Sequence, residues 1–206
     1  MTKQILVVDS SPRAGSLSRK LTREISSKLL AAHPGARLVE RDLAAKPLPH
    51  LTEDVINGYY TPADKRDEKL RSAVTASDAE IKELMAADIL VIGAPMWNFN
   101  IPSGLKAWID HVVRAGVTFA YGQKGPEGLA KGKKAIVVVT SGGVYSKGPM
   151  QAMDFQANYL RSVLGFIGIT DVSFVRAEGV SMGEAAVSAA LASAEAQVSA
   201  ALQSAA

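Results

Sequence analysis

The residues able to do chemistry gather in three segments. The first is Ser10-Ser11-Pro12-Arg13-Ala14-Gly15-Ser16-Leu17-Ser18, which sets hydroxyls and a glycine just ahead of a helical pattern. Hydroxyls combined with free N–H groups at a helix N-terminus make an anion site. The segment is neither GxGxxG nor a Walker motif, since GK[ST] is missing. It suits a single phosphate held by several hydroxyls, as in a mononucleotide such as FMN. It also reads as a simply capped helix, with Ser16 or Ser18 at the N-cap. The second segment, Gly93 to Lys106, places Trp97 and Phe99 beside Asn98 and Asn100, with Met96 ahead of them and Pro95 and Pro102 at the ends of the turn. Its aromatic faces and amides match an isoalloxazine, apolar at the dimethylbenzene end and polar at the pyrimidine end. A hydrophobic staple under the next helix accounts for Trp97 or Phe99 singly, but not for both neighbouring asparagines. The third segment is Thr140-Ser141-Gly142-Gly143-Val144-Tyr145-Ser146. Its paired glycines let backbone approach a ligand closely, or simply mark a loop of turn residues.

What must position these segments is an alternation of short apolar runs and longer periodic stretches. The runs are Ile5–Val8, Ala36–Glu40, Ile89–Ile92, Ala135–Val139 and Val172–Val175. Near-continuous apolar strands suit a parallel sheet covered on both faces. Between them, Leu17, Leu21, Ile25 and Leu29 mark a helix ending near His33-Pro34-Gly35. Leu105, Trp108, Ile109, Val112 and Val113 mark a buried helix face. Residues 153–166 make another helix. Val187, Leu191, Val198 and Leu202 stripe an Ala-rich one whose small residues permit close packing. The pattern predicts an α/β fold, a flavodoxin-like doubly wound five-stranded parallel sheet of order 2-1-3-4-5 with helices on both faces. All three segments then leave the carboxyl ends of strands, where such sheets bind ligands.

The length of 206 residues predicts a single domain, residues 1–206. Residues 44–77 exceed the minimal fold and read as an insertion, either an excursion near the site or dimer contact, or a solvated loop. With no cysteine, disulfides, thiolate nucleophiles and iron–sulfur clusters are excluded, so redox chemistry must come from a bound organic cofactor. No unbroken apolar run approaches the roughly 18 residues of a membrane span, and the N-terminus lacks a signal-peptide pattern. The expectation is a cytoplasmic protein. The net charge of +3 either helps attract anionic cofactors or serves solubility. It includes no basic cluster of nucleic-acid type.

Pro95-Met96-Trp97-Asn98-Phe99-Asn100-Ile101-Pro102 and Arg114-Ala115-Gly116-Val117-Thr118-Phe119 resemble the FMN-dependent, NADH-linked azoreductases of the NAD(P)H quinone-reductase group. So do Arg41–Ala44, Gly125–Leu129, Gly132–Ala135 and Leu164–Asp171, so the likeness spans almost the whole chain. The resemblance implies that Ser10, Ser16, Leu17 and Ser18 hold the FMN phosphate. Pro95, Met96, Trp97, Asn98 and Phe99 would flank the ring, with Thr140, Ser141, Gly142 and Gly143 closing over its edge. It implies a homodimer with the site at the subunit interface. The substrate pocket would be shaped by Asn98, Phe99, Gly142, Tyr145, Tyr121 and Phe166, the last two partly from the second subunit. Trp97 stands where many members carry tyrosine, keeping a flat ring without a hydroxyl. The arginine that some relatives carry before the paired glycines is missing from Thr140-Ser141-Gly142-Gly143.

On that basis NADH or NADPH reduces FMN and leaves, and a quinone or azo compound takes its place, a ping-pong sequence. No catalytic side chain and no metal is expected, because the chemistry sits on the flavin. Tyr145 and Tyr121 either guide a proton or pack. His33 reads as a helix terminus, His50 as loop and His111 as structural. Two other classes compete: an electron carrier of flavodoxin type, and a sensor or binding module using the same fold.

Overall fold

The computed structural model describes residues 2–203. Among these the strands are β1 (Gln4–Asp9), β2 (Arg37–Asp42), β3 (Ile89–Pro95), β4 (Phe119–Gly122), β5 (Gly125–Gly128), β6 (Lys134–Ser141) and β7 (Asp171–Glu178). The helices are α1 (Leu17–Ala32), α2 (Glu53–Tyr60), α3 (Glu68–Ala86), α4 (Ser103–Val112), α5 (Phe155–Phe166) and α6 (Glu184–Gln203). Five strands form one parallel sheet in the order β2-β1-β3-β6-β7, which is the expected 2-1-3-4-5 counted within the sheet.

Alternating side chains divide the core into two layers. Leu6, Val8, Leu90, Ile92, Val137 and Val139 face α3, α4 and α5 through Ile81, Leu84, Leu105, Trp108, Leu160 and Leu164. Ile5, Val7, Ile89, Val91, Ile136 and Val138 face α1 and α6. Both faces are covered, so β3 and β6 are buried at every residue, which is why their sequences are apolar without alternation. On α6 the buried stripe is Ala190, Ala194, Val198 and Ala201, with Leu202 packed beside it. By length and composition α6 is the one helix among the described residues able to cross a membrane. Its alanine stripe instead lies against the sheet.

The stretch 44–77 is divided by the structure. Its last part, from Glu68, is the first half of α3, the crossover that returns the chain from β2 to β3; only residues up to Asp67 are additional. Asp67 caps α3 by accepting from the Leu70 N–H at 2.8 Å. The helix is hard to see in sequence because its buried face carries polar residues, Ser77 and Glu80. Both are satisfied. The Ser77 hydroxyl donates to the His111 carbonyl at 2.6 Å. Glu80 accepts from the Trp108 indole at 3.1 Å and pairs with Arg41 at 3.3 Å. His111 is fully buried and ties the extra segment down. Its Nε2 lies 2.9 Å from the Pro49 carbonyl and its Nδ1 3.2 Å from the Tyr59 hydroxyl. Donation from Nε2 to Pro49 and acceptance at Nδ1 from the Tyr59 hydroxyl satisfy both ring nitrogens, a structural role.

The β4–β5 hairpin is absent from the sequence reading. Gly125-Pro126-Glu127-Gly128 is a poor strand by composition, and tertiary docking makes it one. Gly128 lies so close to the turn after α5 that a Cβ there would sit 2.1 Å from the Gly168 nitrogen. Overpacking against backbone costs about 1–3 kcal/mol. Gly128→Ala should therefore lower stability by about that much in urea denaturation. Gly122→Ala, whose nearest neighbour would be 3.6 Å away, should change it by less than about 0.5 kcal/mol.

Candidate active site

Strand register brings the three segments together. Asp9 pairs with Gly93, Gly93 with Val138 and Pro95 with Thr140, so β1, β3 and β6 end on one side. The Met96 N–H donates to the Thr140 carbonyl at 2.7 Å, and the Ser10 hydroxyl to the Gly93 carbonyl at 2.6 Å. Gly93 lets α1 close on the sheet: a Cβ would stand 2.8 Å from Asp9 Oδ1 and 3.0 Å from the Thr22 methyl.

In the first segment Ser16 occupies the N-cap position of α1, yet its side chain caps nothing. Its hydroxyl bonds instead to that of the buried Ser18 at 2.8 Å. The first-turn N–H groups of α1 thus have no side-chain acceptor, and a simply capped helix is not what the structure shows. An anion would satisfy donors that the protein has left open. Open donors of this kind suit one phosphate-sized anion.

The second segment folds back on itself. Trp97 and Asn100 exchange both backbone hydrogen bonds, at 2.9 and 3.0 Å. Asn98 and Phe99 between them have φ of 48° and 67°. Positive φ at both central residues is a type I′ turn. Asn tolerates it; for Phe it is strain, worth about 1–3 kcal/mol. Trp97 and Phe99 are left 47% and 38% exposed, an unusual state for rings that a packing role would bury. The Phe99 ring meets Tyr145 of the third segment edge-on, with centroids 6.1 Å apart.

The third segment is fastened from behind. The Tyr145 and Ser146 N–H groups both donate to Glu178 Oε1 at 2.9 Å. The carbonyls of Ser141, Gly142 and Gly143 accept from Val180, Ser181 and Gly179. A Cβ on Gly142 would press on the Ser181 hydroxyl at 2.7 Å. Pro95, Thr140 and Ser141 are buried strand residues and offer a ligand little surface, while Gly142, Gly143 and Tyr145 are half-exposed.

A cavity of about 790 Å³ opens here. Its lining includes Ser10, Pro12, Trp97, Asn98 and Asn100, together with Leu43, Ala44, Pro47, Ser103, Lys106 and Tyr159; Ser16, Leu17, Ser18, Phe99 and the third segment are not part of it. Leu43 and Tyr159 escaped sequence reasoning as cavity residues, as did the polar network beneath the first segment. In that network Arg19 joins Ser11, Asp42 and Asp9, and the Thr22 hydroxyl donates to Asp9 at 2.9 Å. The Arg19 hydrogen bonds hold the Asp42 carboxyl at a pKa of about 2. Burial pushes Asp9 up, against the pull of Thr22 and Arg19. Burial also raises the Tyr159 hydroxyl. The only hint in sequence was Arg41-Asp42 at the end of a strand.

Tyr121 and Phe166 are not in this place. They flank Phe119, Phe166 at 4.5 Å and Tyr121 at 5.5 Å. That cluster sits where the N-terminal ends of the strands lie, because the Ala130 N–H bonds to the Ile167 carbonyl and β6 and β7 begin together at Lys134 and Asp171. The twelve residues of α5, about 18 Å, separate Phe166 from the cavity end. Tyr121 is 76% exposed.

Comparison with known proteins gives consistent relatives. A family model described as flavodoxin-like fold matches residues 3–202. The chain is 56% identical over 193 residues to an FMN-dependent NADH:quinone oxidoreductase of Herminiimonas arsenicoxydans, covering 93% of this chain and 94% of that protein. It is 51% identical over 181 residues to one of Azotobacter vinelandii, covering 87% and 89%. Among solved structures, an azoreductase from Bacillus anthracis str. Sterne superposes with a TM-score of 0.90 at 33% identity, covering 97% of this chain and 99% of that one.

Two outcomes follow from the geometry. Asp42 has a folded-state pKa of about 2, below the ordinary aspartate value of 3.8, so its contribution to stability is present above pH 3.8 and is lost as pH falls toward 2. Acid titration of stability should show this loss, and Asp42→Asn should be less stable at neutral pH but flatter across that window. Phe99→Gly relieves the strained φ, so unfolding of the flavin-free protein should shift by less than about 1 kcal/mol. Flavin affinity, followed by fluorescence quenching, should nonetheless drop by about tenfold or more with the ring gone.

Proposed function

The chain belongs to the flavodoxin-like family that includes the FMN-dependent NADH:quinone oxidoreductases, and from that premise we propose that it reduces quinones and aromatic azo compounds with NADH or NADPH in a ping-pong sequence. The observation that carries the reading is that an uncapped α1 N-terminus, the half-exposed Trp97 and Phe99 on a strained turn, and a cavity lined by Ser10, Trp97 and Asn98 lie at one edge of the sheet.

FMN, when bound, supplies the redox chemistry, taking hydride from the nicotinamide nucleotide and passing electrons to the acceptor. The residues of this chain bind and orient. Ser10, Ser16, Leu17 and Ser18, with the open N–H groups of α1, take the phosphate. Pro95 and Met96 end β3 beneath the turn, and Trp97, Asn98 and Phe99 set apolar faces and amides beside the ring. The half-exposed Gly142 and Gly143 admit backbone to its edge, while Thr140 and Ser141 support them from within β6. Asn98, Phe99, Gly142 and Tyr145 then border the open face, where one flat substrate fits at a time. Such exclusion supports sequential use of one site by donor and acceptor. No side chain is required as acid or base, because the redox chemistry belongs to the flavin.

A homodimer completes the pocket in this reading. The exposed Tyr121 and Phe166 cannot reach their own cavity from the far end of the sheet, so a partner's aromatic pair would have to cover it. Large rings left in water mark an interaction surface. The relatives at 56% and 51% identity are oxidoreductases, which favours the enzyme over a carrier of flavodoxin type.

Initial rates with NADH and a quinone should give parallel double-reciprocal lines, and a flat aromatic inhibitor should compete with NADH. Anaerobic NADH alone should bleach the flavin absorbance, and quinone should restore it. Intersecting lines would refute the shared face. Mixing inactive Tyr121→Ala and Trp97→Ala proteins should recover part of the activity if sites are built across subunits. No recovery after verified subunit exchange would remove the partner role of Tyr121.

A further inference from the structure

Resting on the FMN reading, we propose that Arg19 is a positioning residue for the phosphate end of the flavin, acting through the Ser10–Ser16 loop without touching the ligand. Arg19 lies in the first turn of α1 and is only 7% exposed. A cation there opposes the helix dipole and gains nothing from local helix stability. Its partners explain its presence. Nε and NH2 both donate to the Ser11 carbonyl, at 3.0 and 2.7 Å. NH1 and NH2 grip the two Asp42 oxygens at 2.8 and 2.7 Å. NH1 also lies 3.9 Å from Asp9.

The charge is therefore answered within the protein, by two carboxylates, and is not held open for a phosphate. What the guanidinium does is geometric. It fixes the Ser11 carbonyl, and with it the path of the loop whose Ser10 and Pro12 line the cavity. The second anchor reaches further. Asp42 Oδ1 accepts from the N–H groups of Ala44 and Ala45 at 3.0 and 3.1 Å, organising the wall that Ala44 and Pro47 contribute opposite. One planar fork thus sets the spacing between the phosphate loop and the facing wall. Lysine, a point charge on a flexible stem, cannot hold a carbonyl and both carboxylate oxygens at once.

The test uses the whole chain stripped of flavin, titrated with FMN and separately with riboflavin, which lacks the phosphate. Wild type should bind FMN more tightly than riboflavin. Arg19→Lys should weaken FMN binding by about tenfold or more, the scale of a lost charge-assisted hydrogen bond, and riboflavin binding by less than about threefold. Asp42→Asn should reproduce part of the FMN-specific loss, and the double variant should be no worse than Arg19→Lys, as expected for one shared network. Equal losses for both ligands would make Arg19 a general fold determinant and overturn the proposal; unchanged affinity would make it an ordinary ion pair and overturn it too. Wild type failing to bind FMN would instead overturn the functional reading on which the proposal rests.

Discussion

Everything at the cavity depends on the lateral pairing of β1, β3 and β6. Parallel register brings Asp9, Gly93 and Val138 level, so three chain segments far apart in sequence leave the same end of the sheet, with β3 and β6 running only to Pro95 and Ser141 beyond that level. Gly93 makes the arrangement tight. Without a side chain between them, Asp9 and Thr22 lie directly against β3, and α1 starts where its first turn faces the other two segments. A helix displaced outward by one methyl group would move its open N–H groups relative to the Trp97–Asn100 turn, although neither element had changed internally.

The site is stiff in places where an apolar core alone would not make it so. Its loops are held by buried polar bonds: Ser10 to Gly93, Met96 to Thr140, Tyr145 and Ser146 to Glu178, Arg19 to Ser11. Glu178 is in turn gripped by Arg176, which also pairs with Asp154, the cap of α5. A chain of charges therefore runs from the third segment to the helix beneath it. Such preorganisation spares the protein the ordering of loops when ligand arrives. The strained φ of Phe99 persists because Trp97 and Asn100, which flank the Asn98–Phe99 pair, are hydrogen-bonded to each other.

The sheet was legible because burial on both faces writes itself into sequence as unbroken apolar runs. The three segments were legible because their residue types are costly to explain as packing. The resemblance rests on Asn98, Phe99 and their neighbours, the very residues that the turn displays. What sequence hid was whatever depends on distant partners. α3 buries Ser77 and Glu80 against His111, Trp108 and Arg41, and its apolar period fades accordingly. β4 and β5 become strands only on docking beside Gly168. Arg19 carries no signal of its own in the sequence; only the fold shows Asp42, twenty-three positions on, beside it.

The separation of cavity and aromatic cluster to opposite ends of the sheet has a consequence for assembly. In the dimer proposed above, a two-fold axis would let each copy's cavity meet the other's aromatic cluster and would close at two members, whereas a translation would pair the same surfaces one after another without closing.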